Sequence, residues 1–376
     1  MTTASATWIK HPGFYIREEM EARGWLQRDL AFILGVQEQA INQILSGRRG
    51  ISPDMAQQLG AAFDVPPEFF ANLQLAYDMA QSKQPDPAVA MRGTLQSVFP
   101  VREMIRRGWI EQSDPILLES QLATFFEVKA ANEIPYLAHA ARKSRYEDRE
   151  IPAAQLAWLF RVRQVAGSVA SRLYSEKALR AALSNLESLM VSLDATREVP
   201  RILMECGVRF VAVEKLPSAE IDGVCFWLRD SPVIGLSLRR DKIDNFWFVL
   251  RHEIEHVLRG DGRKEEMLDV LEGESSSATN DSLPPEERAA NAAAEDFCVP
   301  KERMESFMLR KHPFYYEKDV LAFSRLANRH PGIVVGQMQR RMNRYDYLVR
   351  HQAKVRQFLL PGAIADGWGR TIPVSN

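Results

Sequence analysis

Cysteine and histidine are both scarce in this chain, with three Cys and seven His in 376 residues. Cys206, Cys225 and Cys298 lie far apart, with no C-x-x-C pair and no even number. A disulfide framework and a cysteine-built zinc site are thereby excluded, and a reducing compartment is expected. No apolar run approaches the roughly eighteen residues that a membrane-spanning helix needs. The first residues carry no basic stretch followed by an apolar one, so a cytoplasmic chain with no span and no signal peptide is expected. Charge of one sign is lacking as well: 48 Lys and Arg stand against 49 Asp and Glu, a formal net charge of −1. That excludes bulk attraction of the whole chain to nucleic acid or acidic lipid. Repeats of roughly 20–50 residues and low-complexity tracts are absent. What remains is a chain long enough for two or three domains, with 46% hydrophobic residues to build their cores.

Few as the histidines are, two of them fall four apart, in His252-Glu253-Ile254-Glu255-His256. The surrounding residues 244–258 have the periodicity of one amphipathic helix. Residues four apart share a helix face, so both imidazoles can reach one metal ion while Glu253 projects beside them toward a metal-activated water. The competing reading is a surface helix with a solvated Glu and two unrelated histidines. Zinc needs at least one more protein ligand and, for catalysis, an open position for water. No third His follows in the spacing H-E-x-x-H-x-x-G-x-x-H, and Gly262 alone does not supply it, so a carboxylate must serve. The next helical stretch, residues 284–300, has a small alanine face that would let it pack close, with Glu286 and Glu287 near its start. Between them, Asp261 to Leu283 is acidic and Ser-rich and reads as a loop over the site. Ahead of the His helix, residues 208–213, 223–228 and 232–238 read as three short strands, the layout of a minimal zincin. The strand directly before the helix would then form a groove wall along whose edge a substrate strand pairs. His11, His139, His312, His330 and His351 have no ligand-like partner three or four residues on and read as turn or surface residues. Nothing assigns an oxyanion-stabilising group, although Tyr315 and Tyr316 are available.

A second signal lies between Gly24 and Pro53. Gln27 to Leu34 reads as a short helix with Leu30, Ala31 and Leu34 inward, Gly35 as a left-handed turn, and Gln37 to Leu45 as a second helix with Ala40, Ile41, Ile44 and Leu45 inward. Two short helices joined by a glycine turn, the second lined with amides, describe a helix-turn-helix. Gln27, Gln37, Gln39, Asn42 and Gln43 are candidate DNA contacts, since Gln and Asn bond adenine bidentately in the major groove. Arg48 and Arg49 follow where a phosphate backbone would pass. Against a strong electrostatic footprint, residues 1–80 carry six Lys and Arg and nine Asp and Glu. Gln81 to Pro87 is polar and proline-broken and marks a domain edge. Residues 81–200 read as helical throughout, spacer and dimer-forming helices with an Arg-rich outer surface (Arg161, Arg163, Arg172, Arg180).

Resemblance sharpens both signals. His11-Pro12-Gly13-Phe14-Tyr15-Ile16-Arg17-Glu18-Glu19-Met20, Gly24-Trp25-Leu26-Gln27, Leu34-Gly35-Val36 and Ile44-Leu45-Ser46-Gly47-Arg48-Arg49, continuing through Pro67-Glu68-Phe69-Phe70, are similar to HigA-type antitoxins of the Xre helix-turn-helix family. That resemblance implies a domain binding palindromic operator DNA as a homodimer, with a cognate toxin as a partner. Gln37 departs from it, standing where the family commonly has a Ser N-cap. The His252–His256 pentad with Glu287-Arg288-Ala289-Ala290-Asn291-Ala292-Ala293-Ala294-Glu295-Asp296-Phe297-Cys298-Val299-Pro300 resembles the ImmA/IrrE family of HExxH metallopeptidases, which is often fused to an Xre domain. Its motif E-x-x-A-N-x-F-A-x-x-L-L-x-P implies Glu287 as third zinc ligand, with Glu286 one residue off as the alternative. Ala293 and Phe297-Cys298 depart from the motif at packing positions. The residues around His330-Pro331-Gly332 also resemble the tail of such fusions.

The resulting expectation is a mainly α chain with a small β-sheet. It comprises a five-helix-type helix-turn-helix domain (1–80), a helical linker and dimerisation region (81–200), a minimal zincin-like α+β metallopeptidase core (201–305) and a C-terminal helical extension (306–376). Zinc would be held by His252, His256 and Glu287, with Glu253 as general base. The expected function is a DNA-binding regulator with a fused zinc endopeptidase that cleaves itself or a regulatory partner protein, such as a repressor. The alternative is a repressor or antitoxin whose zincin-like domain senses a ligand or binds a partner without cleaving.

Overall fold

The structure, a computed structural model, describes residues 9–129, 152–261, 263 and 284–373. His139 and most of the loop expected over residues 261–283 therefore lie outside the described residues. The chain divides into two compact units, one up to Pro87 and one from Ala88 onward. No helix among the described residues is long and apolar enough to cross a membrane.

The first unit is five helices: α1 (Pro12–Ala22), α2 (Gln27–Leu34), α3 (Glu38–Leu45), α4 (Pro53–Phe63) and α5 (Pro67–Gln81). Proline opens α1, α4 and α5, where its fixed φ suits the first turn and its missing N–H is not needed. The Ser52 hydroxyl caps α4 by accepting from the Met55 amide. Gly35 ends α2 in the left-handed conformation, φ 65°. The inward positions of these helices close on one another as Ile16, Leu30, Ile41, Ile44, Leu59, Phe63 and Phe70, all almost fully buried.

The second unit begins with α6 (Pro87–Val98), α7 (Val101–Arg106), α8 (Pro115–Phe125), α9 (Ala153–Gly167), α10 (Glu176–Leu189) and α11 (Val199–Glu205). Strands β1 (Arg209–Val213), β2 (Gly223–Leu228) and β3 (Ser231–Leu236) lead into α12 (Ile243–Arg259). The chain then runs through α13 (Pro285–Cys298), α14 (Lys301–Lys311), α15 (Glu317–Ala327), α16 (Pro331–Met342) and the single turn α17 (Arg356–Leu359) to β4 (Ile364–Asp366). The fold is thus mainly α with one small mixed sheet, in the order β2-β3-β1-β4.

The sheet is covered on both faces. Phe210, Ala212, Cys225, Ile234 and Leu236 point into a core shared with α12, while Val211, Val213, Val224, Phe226 and Val233 point into a second core shared with α9. Burial of both faces is why the strands read as nearly continuous apolar runs rather than as strict alternation. β2 and β3 form an antiparallel hairpin across the two-residue turn Arg229-Asp230, and β1 pairs in parallel with β3 and with β4.

Three expectations change here. β3, the strand directly before the His helix, has β2 on one side and β1 on the other, so it cannot serve as a groove edge; β2 is the outer strand on that side of the sheet, with β4 at the opposite edge. β4, a three-residue strand near the far end of the chain, has no periodicity of its own and exists because β1 offers it a parallel edge. Finally, α9 is no outer amphipathic spacer: residues 154–162 are all buried, and Arg161 is only 1% exposed. Its guanidinium Nη2 meets Asp366 Oδ2 at 2.6 Å, and the same carboxylate accepts from Trp109 Nε1 at 2.8 Å and from the Ile372 amide at 2.9 Å. One buried carboxylate thus ties α9, the segment after α7 and the C-terminal strand together.

Removing one partner of a buried ion pair leaves the other charge uncompensated, which costs about 3–5 kcal/mol. Asp366→Ala is expected to lower the stability of the second unit by that amount in urea unfolding. A loss below about 1 kcal/mol, the range of exposed pairs, would show that water reaches Arg161.

Candidate metal centre

Helix α12 is buried almost all round. Phe246, Trp247, Val249, Leu250, Ile254, Val257 and Leu258 fill the core against the sheet, α13 and α16. His252, Glu253 and His256 share this environment, each at 0% exposure. Spacing of four residues stacks the two imidazoles on one face, their Nε2 atoms 3.0 Å apart.

Helix α13 supplies the third group. Ala290, Ala294 and Cys298 are its buried positions. At about 100° per residue, Glu287 lies about 20° from the centre of that face and Glu286 about 80° from it. The small alanines let α13 approach α12, and Glu287 Oε2 comes to 3.3 Å from His252 Nε2 and Oε1 to 3.5 Å from His256 Nε2. His252, His256 and Glu287 form a cluster with ligand atoms within 4.8 Å of one another. Glu286 is not in it. Ligands about 2.0–2.1 Å from a tetrahedral ion sit about 3.3 Å apart, and the three separations here, 3.0, 3.3 and 3.5 Å, bracket that value. The donor set, two imidazoles and a carboxylate, therefore fits a single zinc-sized ion. Cysteine takes no part: all three cysteines are buried and none belongs to the cluster, and burial pushes the Cys298 thiol up to about 12.

Two contributors went unnoticed in the sequence. Gly260 ends α12 in the left-handed conformation, φ 72°, and turns the chain back so that the Asp261 amide donates to the His256 carbonyl at 2.9 Å. The Asp261 carboxylate then meets His256 Nδ1 at 3.1 Å. A carboxylate on Nδ1 fixes the tautomer and directs the Nε2 lone pair inward. Burial pushes the Asp261 carboxyl up, but bonding and charge from His256 and Arg259 outweigh it and hold the group below its ordinary value. The readable signal was a Gly-Asp pair directly behind the His-bearing last turn.

The second is Gly223, at the start of β2. A Cβ there would lie 2.3 Å from Glu253 Oε1 and 2.8 Å from Val249 Cγ1. Glycine is required for close approach: its missing side chain is the seat of the Glu253 carboxylate. Gly223→Ala should destabilise the second unit by roughly 1–3 kcal/mol through overpacking. Glu253→Ala should relieve part of that cost in the double variant, with a coupling above about 0.5 kcal/mol. Additive losses in urea unfolding would show that the two positions do not compete for space.

In the first unit, α2, the Gly35 turn and α3 form the expected helix-turn-helix. Gln39 and Asn42 are exposed three apart on α3, and Arg48 and Arg49 are exposed just beyond it. Gln37 is exposed at the N-cap of α3, which starts at Glu38, and makes no side-chain capping bond. Gln27 and Gln43 are half-buried. Phe32, which drew no notice in the sequence, is 87% exposed on α2.

Comparison with known proteins bears on this unit. A family model described as helix-turn-helix matches residues 16–70. Virulence-associated protein A' of Dichelobacter nodosus is 39% identical over 72 residues, 19% of this chain; the chain spans 63% of that relative's length. Virulence-associated protein I of the same organism is 36% identical over 75 residues, 20% of this chain and 69% of the relative. Among solved structures, an addiction module antidote protein of a HigA family from Coxiella burnetii is similar, at 30% identity over 24% of this chain and 90% of that one, TM-score 0.19. The antitoxin GraA is similar at 32% identity over 28% and 97%, TM-score 0.19. Through its N-terminal unit, the chain belongs to the helix-turn-helix family.

Proposed function

We propose that the chain is a DNA-binding, antitoxin-like regulator carrying a zinc-dependent endopeptidase centre of the ImmA/IrrE type. The observation that carries the second half is the meeting of His252, His256 and Glu287 at zinc-ligand spacing with Glu253 sealed beside them. His252, His256 and Glu287 would hold a zinc ion there, which when bound would supply Lewis acidity toward a peptide carbonyl and a water. Glu253, seated against Gly223, takes the water's proton and returns it to the leaving amine. Asp261 keeps His256 aligned. The outer strand β2, paired among the described residues only with β3, offers an edge to which an extended substrate adds as a strand. The substrate would be a partner repressor or the chain itself.

The first half rests on the helix-turn-helix match and on the exposed amides and arginines of α3 and its sequel. Gln39 and Asn42 read base edges, while Arg48 and Arg49 neutralise phosphates. Palindromic operators would be bound by a homodimer, and a cognate toxin is the further partner this reading implies.

One observation favours a second reading. His252, Glu253 and His256 are fully buried, which suits a zinc-holding sensor or partner-binding module that cleaves nothing.

Wild type and Glu253→Gln, both loaded with zinc, are to be followed by intact mass, alone and in extracts containing candidate repressors. Defined fragments from wild type are expected, with a rate at least about 10²-fold lower in Glu253→Gln at unchanged zinc content. Equal cleavage by both would remove Glu253 as base. No cleavage by either, with zinc and operator binding retained, would move the reading to the sensor. For DNA, Arg48→Ala is expected to weaken promoter binding on all sequences alike and to reduce the log–log salt slope by about 1. An unchanged slope would place Arg48 away from the phosphates.

A further inference from the structure

Strand β2 turns Gly223, Cys225 and Trp227 toward α12. Gly223 seats Glu253, Cys225 joins the core that α12 fills, and Trp227 reaches the turn behind the helix. There its indole Nε1–H donates to the backbone carbonyl of Asp261 at 3.0 Å. The same residue's carboxylate holds His256 Nδ1, and its amide holds the His256 carbonyl. Asp261 is therefore fixed at four points, three on the last turn of α12, where Arg259 Nε also donates to its carboxylate at 3.3 Å, and one on the sheet. The indole is itself constrained. The Tyr174 ring stands edge-on to it at 5.2 Å and 90°, and the Arg263 guanidinium lies over it, 5.1 Å from its ring. Helix ends fray, and Asp261 follows a left-handed glycine at such an end. The bond from the sheet is what ties this turn to a rigid element.

We propose that Trp227 is a positioning residue for the metal centre. It anchors the Asp261 carbonyl so that the carboxylate keeps His256 in the orientation directing Nε2 toward His252 and Glu287. The proposal rests on reading the centre as a zinc site. A packing role would depend on the bulk of the ring. A positioning role depends on the N–H and acts through Asp261.

The test uses the full chain and measures zinc affinity by chelator competition for wild type, Trp227→Phe, Trp227→Leu, Asp261→Ala and the double variant Trp227→Phe with Asp261→Ala. Asp261→Ala is expected to weaken zinc binding roughly 10–100-fold, as loss of a ligand's orienting partner does. Trp227→Phe keeps the ring and loses the donor, and is expected to weaken zinc roughly 2–10-fold, the range of one hydrogen bond. Trp227→Leu should be no worse than Trp227→Phe. Once Asp261 is Ala, Trp227→Phe should cost nothing further. Wild-type affinity in Trp227→Phe, a much larger loss in Trp227→Leu, or losses that multiply in the double variant would each overturn the proposal. Failure of wild type to bind zinc would instead overturn the zinc reading, and this proposal with it.

Discussion

The second unit is arranged around the burial of two imidazoles and a carboxylate on one helix. Unpaired polar groups at 0% exposure cost several kcal/mol each, so α12 cannot carry His252, Glu253 and His256 into the core unless its neighbours are built for them. They are: α13 brings Glu287 on an alanine face, the Gly260 turn brings Asp261, and β2 leaves a side chain out at Gly223. Each neighbour approaches from a different direction and meets α12 within the same three turns.

That arrangement requires a rigid sheet, and the sheet owes its rigidity to being covered twice. α12 lies on one face and α9 on the other, with the buried Asp366 carboxylate closing the far edge through Arg161, Trp109 and Ile372. A site set on helices packed against a sheet so buttressed keeps its geometry better than one carried on a loop. The first unit works by a simpler logic. Proline starts, a glycine turn and one apolar stripe per helix close a small core, and the polar face of α3 is left exposed.

Much of this was legible. The pair His252 and His256 is a local pattern, four residues on one helix, and needs nothing from the rest of the chain. The same holds for α2, Gly35 and α3. The choice of Glu287 over Glu286 came only through resemblance to a motif. The run Ala289 to Ala294 offers too many alanines for the sequence to show which face is inward, and the burial of Ala290, Ala294 and Cys298 is what separates Glu287 from Glu286. Arg161 reads as an outer residue because a charged side chain ordinarily faces water, and the partner that buries it stands 205 residues later.

By itself the sequence determined the helices, the three strands beside the His helix, the glycine turns and the residue types able to hold a metal, since these follow from periodicity and local stereochemistry. Tertiary structure alone decided that β3 lies inside the sheet while β2 lies at an edge, that β4 exists, that α9 is central and that Asp261 and Gly223 shape the site. Those features depend on which distant segments meet. No local pattern carries that information, because strand order and side-chain clearance are properties of packing between elements.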